Sequence, residues 1–333
     1  MANKKKLYKI IAVAVVIILI IYEPIVRIGH DSKKNIKWGV AFSKPYAVEL
    51  GLDWRKLFND MINDLGVKAV RLPIYWDDVE KEKDIYNFDD YDWMMEQAQK
   101  AGVEAVFVVG QRLPRWPECH RPQWLNSMEQ EDQDSELLIW IDDVVKRYSK
   151  YENIVMWQVE NEPFLKLFGE CEKVNPKLLK KEIDLVKSLD SRPILITDSG
   201  ELSLWLKSSK SGDYLGTTVY RIVHNPTIGY WSYFFIPASF YRFKSRLNFR
   251  SWDKMIVSEL QAEPWYSNQE NAATMNMEEQ FKSMNLEKFE DNINYARKIG
   301  FSSVYLWGVE WWGWLKEEKG DDTMWEAAKE VFR

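Results

Sequence analysis

The sequence predicts a (β/α)8 TIM barrel, an α/β fold, preceded by an N-terminal transmembrane signal-anchor helix. Three observations lead there. Short apolar strand segments alternate with helix-length amphipathic stretches over roughly 300 residues, the count and spacing that a closed parallel barrel needs. No glycine-rich phosphate loop follows the first strand, which argues against a doubly wound nucleotide-binding sheet. A basic stretch, "KKKLYK", precedes an unbroken apolar run over 10–22, the pattern of a signal sequence.

The elements follow in order. The apolar run is short for a full span, but Leu7, Tyr8, Pro24, Ile25 and Val26 lengthen it if Lys9 snorkels, and no small-residue cleavage site precedes "GHDSKKN". We therefore expect residues 1–26 to be an uncleaved anchor with its lysines in the cytoplasm, 27–35 a linker, and 36–333 a barrel outside the membrane. "IKWGVAF" reads as the first strand. Asp53 then caps a helix with Leu57, Phe58, Met61, Ile62 and Leu65 on one face, closed by Gly66. "VKAVRLPIYW", a helix over 91–101 and "VEAVFVVG" come next, then a helix over 135–150 and "IVMWQVENEP". Asn175-Pro176 opens a helix that leads into "PILITDSG", a short helical piece and "YLGTTVY". The last strands are "KMIVSEL" and "SSVYLWGVEWW", with helices over 277–299 between them and Thr323–Phe332 after.

With 46% hydrophobic residues among 333, the chain has apolar material for one large core. A net charge of −6 gives no electrostatic case for a nucleic-acid partner. Seventeen tryptophans fill a big core or stack on the flat faces of sugars. His30, His120 and His224 lack metal-ligand spacing, so no metal and no other cofactor is expected.

Ligand sites of such barrels lie at the C-terminal ends of the strands. Those positions are Arg71, Gln111, Asn161, Glu162, Asp198, Tyr220, Glu259 and Trp307. In "MWQVENEPF" a buried strand runs straight into Glu162 and is stopped by Pro163. A carboxylate there needs a partner charge or has acid chemistry to perform. Closing the barrel brings Glu162, after the fourth strand, towards Glu259, after the seventh, and paired carboxyl groups are the constellation of glycoside hydrolysis.

On these residues the chain resembles the clan A glycoside hydrolases, barrel enzymes that include the cellulase-like family five and the β-galactosidase-like families. Asn161-Glu162-Pro163 matches the clan's acid/base motif, and "IVSELQAEPW" matches its nucleophile motif through Glu259. Arg71 in "VRLP", Tyr220 and Trp307 fall at further matching positions, and the likeness spans about 36–333. The resemblance implies that Glu162 is the acid/base and Glu259 the nucleophile. It further implies that Arg71 and Tyr220 hold Glu259, Asn161 donates to the sugar 2-hydroxyl and Trp307 stacks under the reacting ring. A salt bridge closing the barrel mouth is the structural reading of Arg71. Family five carries histidines near the third strand and two residues before the sixth-strand Tyr; Gln111 and Thr218 stand in those neighbourhoods. On that ground the sequence supports the clan without that family. Glu263 is a rival for the nucleophile and Glu160 for the acid, while Glu310 reads as a substrate-contacting or loop residue.

Two features remain. The segment 229–243, "GYWSYFFIPASFYRF", reads as a helix with a core face, a subsite wall or a surface resting on the membrane, and core packing is favoured. Cys119 and Cys171 lie in the loops after the third and fourth strands, which adjoin in a barrel, on the side of the membrane where disulfides persist. We expect them to be bonded. The expectation for the whole is a monomeric retaining glycoside hydrolase acting on an extracytoplasmic glycan. The alternatives are a transglycosylase and a catalytically silent membrane-anchored glycan-binding barrel.

Overall fold

The computed structural model describes residues 35–165, 169–171, 174–266 and 271–333. The anchor expected at 1–26, and the linker 27–35 apart from its last residue, lie outside them. Among the described residues no helix is long and apolar enough to cross a membrane.

The apolar runs form β1 (Lys37–Ala41), β2 (Ala69–Pro73), β3 (Glu104–Val109), β4 (Ile154–Val159), β5 (Ile194–Asp198) and β6 (Tyr214–Val219). An antiparallel hairpin, β7 (Ile222–Asn225) with β8 (Gly229–Ser232), precedes β9 (Met255–Gln261) and β10 (Ser303–Trp307). All but the hairpin strands close one parallel barrel, in which β6 pairs with β9 and β10 returns to β1. Lys37 lies opposite Ser303 and Ala41 opposite Trp307 at that closure. The eight-stranded barrel read from the sequence is the observed fold.

Strand alternation sorts the core into two parts. Ala69, Val106, Leu195, Ile256 and Tyr305 form a small cluster that plugs the barrel. Their neighbours of opposite parity, among them Val70, Phe107, Ile196, Val257 and Val304, join the larger cluster beneath the helices. Helix Trp54–Asn63 shows how one crossover is made. Asp53 accepts hydrogen bonds from the Arg55 and Lys56 amides at its N-terminus, and Leu57, Phe58, Met61 and Ile62 are buried. Each such side chain contributes about 1.5–3 kcal/mol on leaving water.

The structure moves several boundaries. The crossover before β4 begins at Gln130 and ends at Tyr148. The stretch expected to be helical over 277–299 is two helices, Met277–Ser283 and Leu286–Ile299, because Asn285 caps the second. The last barrel strand stops at Trp307. Gly308, at φ 148°, turns the chain, and "VEWW" starts the buried helix Val309–Glu318. A helix apolar on every face has no periodicity to separate it from a strand. The 229–243 segment is also corrected: Tyr241 is buried, but Trp231, Phe234 and Phe235 are exposed, Phe234 to 79%. The hairpin lifts these rings off the barrel, so core packing does not describe them.

Candidate active site

Ala69 belongs to the barrel plug, so Arg71, of the same parity on β2, stands in the next layer towards the mouth. It is fully buried. Its guanidinium donates to Gln158 Oε1 through Nε at 2.8 Å, to Asn161 Oδ1 through Nη2 at 2.8 Å and to Glu259 Oε1 through Nη1 at 2.7 Å. The rigid planar fork of arginine suits such simultaneous contacts. Tyr220 Oη donates to the other Glu259 oxygen at 2.8 Å.

Neither glutamate is placed by simple alternation. Ile256 faces the plug, so strict period two would turn Glu259 outward. The pairings around β9 shift register at Thr217/Thr218 on one side and Val304/Leu306 on the other, and such irregularities re-aim side chains. Glu160 and Glu162 both take left-handed backbone, at φ 58° and 43°, a conformation that costs non-glycine residues energy and clusters at functional sites. The Glu162 amide donates to Thr197 Oγ1 at 2.9 Å, and Thr218 Oγ1 donates to Glu162 Oε1 at 3.3 Å. Burial is the largest cause raising the Glu162 carboxyl well above its ordinary range, followed by the charges of Glu118, Glu259 and Asp198. Burial and Glu118 thus come before Glu259.

The rival and supporting residues are placed as follows. Glu160 accepts from the Gln111 and Arg112 amides at 2.9 and 2.7 Å, on the loop after β3, and burial pushes it up to about 7. Gln111 takes part through its backbone, which also accepts from the His120 amide. Glu263 holds Arg115 with both oxygens, and Arg115 Nη2 also donates to Glu310 Oε2 at 2.6 Å. Glu310 is fully buried and accepts from the Ser43 amide as well. It is a helix residue held in an ion pair, not the loop residue that was one of the two expectations. The Arg115 guanidinium lies between the rings of Tyr46 and Trp307, 4.0 and 4.1 Å from their centroids. One face of Trp307 is therefore covered by a cation. Asp198 accepts from Ser203 and Ser208 hydroxyls at 2.8 and 2.5 Å, organising the loop after β5.

Cys119 and Cys171 form a disulfide with Cα atoms 4.7 Å apart. Among the described residues no cluster of three or more His, Cys, Asp or Glu could hold a metal ion. Sequence reasoning missed Gln158, Thr197, Arg112, Arg115 and Glu118. Gln158 and Thr197 were detectable as polar residues at inward positions of apolar strands. The others lie in an irregular loop, where no periodicity assigns a direction.

Comparison with known proteins adds the class. Xylanase 10B from Thermotoga maritima is 16% identical over 90% of this chain and 95% of that one, with a TM-score of 0.57. The β-galactosidase from the haloarchaeon Halorubrum lacusprofundi is 15% identical over 89% of this chain and 58% of its own, with a TM-score of 0.56. A xylanase from Paenibacillus barcinonensis is 16% identical over 82% and 84%, at 0.55. At these identities the likeness concerns the barrel fold. No curated protein sequence matches the chain. The family model described as cellulase, glycosyl hydrolase family 5, matches residues 49–305. That match overturns the separation from family five drawn from Gln111 and Thr218. The chain belongs to the cellulase family, glycosyl hydrolase family 5, and is a clan A glycoside hydrolase.

Proposed function

We propose that the protein is a retaining glycoside hydrolase that cleaves a glycosidic bond in an extracytoplasmic oligo- or polysaccharide. The observation that carries this reading is the Arg71 fork, which ties Asn161, the neighbour of Glu162, to Glu259 across the ends of β4 and β9. In the first step Glu259 attacks the anomeric carbon while Glu162 gives its proton to the departing oxygen, leaving a glycosyl ester on Glu259. In the second, Glu162 takes a proton from water as that water attacks the same carbon and frees Glu259. Arg71 and Tyr220 hold the two Glu259 oxygens, Asn161 donates to the 2-hydroxyl, and the face of Trp307 away from Arg115 stacks on the sugar. We further propose that residues 1–26 anchor a monomeric barrel outside the membrane, with the lysines in the cytoplasm.

The family's description and the xylanases and β-galactosidase among the structural neighbours choose the first substrates to try: aryl glycosides of cellobiose, xylose and galactose. Turnover that disappears in Glu259→Ala supports the reading, whereas glycan binding without turnover supports a silent binding barrel. Product anomers recorded by NMR in the first minutes are expected to keep the substrate's configuration. Inverted products would refute the double displacement.

A further inference from the structure

Glu118 belongs to no motif, yet it is buried and within reach of Asn161, the chain neighbour of Glu162. Asn161 Oδ1 is occupied by Arg71 Nη2 at 2.8 Å and Thr197 Oγ1 at 3.1 Å, so the amide nitrogen must point the other way. There Glu118 Oε1 lies 3.4 Å from Asn161 Nδ2, and the second Glu118 oxygen accepts from Arg112 Nη2 at 2.6 Å. One Asn161 N–H is thereby directed at Glu118, leaving the other for a substrate hydroxyl.

The 169–171 strap covers this cluster. A Cβ on Gly169, at φ 81°, would lie 3.0 Å from Glu118 Oε2 and 3.4 Å from Arg112 Nη2, so only glycine lets the backbone pass this close. The Glu170 amide donates to Pro117 O at 2.9 Å, and the Cys119–Cys171 bond ties the same two segments together. An ion pair shut away from water acts on its neighbours through a low local dielectric.

We propose that Glu118 is a positioning residue for the reaction: clamped by Arg112 and Asn161 beneath the strap, it orients the Asn161 amide and holds the proton on Glu162. This rests on Glu162 being the general acid. The groups around the pair are Arg71 from β2, Arg112 from the loop after β3, Asp198 from β5, Tyr220 after β6 and Glu259 from β9. Burial pushes Glu118 up to about 7, and Glu118 is the largest charge effect raising Glu162. The two carboxyls therefore titrate as a coupled pair, and ionisation of Glu118 extends to higher pH the range in which Glu162 stays protonated.

The test is a carbon-13 NMR titration of glutamate carboxyls in the full chain in detergent, for the parent protein, Glu118→Gln and Glu162→Gln. The signal lost in each variant identifies its residue. In Glu118→Gln the Glu162 midpoint is expected to fall by about one pH unit, whereas in Glu162→Gln the Glu118 midpoint stays in place, because Glu118 ionises while Glu162 is still protonated and a neutral amide replaces a neutral acid. An unchanged Glu162 midpoint in Glu118→Gln would overturn the proposal, and Glu118→Ala reads the same shift if Glu118→Gln does not fold. With an aryl glycoside that is turned over, Glu118→Gln shifts the alkaline limb of kcat/KM to lower pH, and Glu118→Asp restores it. A merely structural residue would lower the whole profile without moving that limb. Turnover that survives Glu162→Gln with its alkaline limb intact would instead refute Glu162 as the acid, an outcome separate from the titration.

Discussion

Arg71, on β2, and Arg115, on the loop after β3, do different work. Arg71 faces Glu259 and Asn161, whereas Arg115 neutralises Glu263 and Glu310 between two aromatic rings. Removing one partner of a buried ion pair leaves an uncompensated charge, so Arg115→Ala is expected to lose about 3–5 kcal/mol in urea unfolding. A variant as stable as the parent would show that the pair contributes nothing. Tyr220→Phe deletes the hydrogen bond to Glu259 and little else. A bond to a charged group contributes about 1.5–3 kcal/mol, so kcat/KM should fall about 10–100-fold while the unfolding midpoint stays put. Full activity in Tyr220→Phe would remove Tyr220 from the proposed machinery.

Between elements, strand β4 meets helix Pro176–Leu189 through a buried carboxyl pair. Glu182 is fully buried, and burial followed by the charge of Glu160 raises it well above the ordinary carboxyl range. Because both folded-state pKa values are raised, the stability these groups lend is complete below the ordinary carboxyl pKa. It is lost as pH climbs through about 7. Glu182→Gln keeps the shape and removes the titration. Its stability is expected to exceed the parent's at pH 8 by on the order of 1–3 kcal/mol and to fall less steeply from pH 5. Parallel pH–stability curves would sink this account. The loops after β3 and β4 are joined by Cys119–Cys171 across a separation of 52 residues. The chain-entropy model makes such a cross-link worth about 4 kcal/mol, so Cys119→Ser with Cys171→Ser should lose about that much stability in urea unfolding. A negligible loss would mean that the two loops are already ordered in the unfolded chain.

At the scale of the molecule, the anchor expected at 1–26 is testable independently of the barrel. The full chain is expected in the membrane fraction after alkaline carbonate washing, with an intact mass that includes residues 1–26. Soluble protein that begins after the apolar run would show cleavage. Within the barrel, the sequence by itself determined the strand order, the crossover helices, and the strand ends on which Glu162 and Glu259 stand, because apolar periodicity, caps and the ends of strands are local properties. The Cys119–Cys171 pairing was also legible, since adjacent loops of a barrel follow from strand order alone. Direction was not. The register shifts beside β9 and the left-handed steps at Glu160 and Glu162 turn carboxyls against the period-two rule, and their cost is met by contacts from distant strands. The exposed rings at 231–235 and the Val309–Glu318 helix were misread for the opposite reason: an apolar run records a preference for burial without recording against what. The Arg112, Arg115 and Glu118 loop carries no periodic signal at all. Arg112 and Glu118 pair within the loop, but Arg115 meets Glu263 and Glu310, and Glu118 meets Asn161, only when β4, β9 and the Val309–Glu318 helix are brought to it, so their roles depend on the tertiary structure.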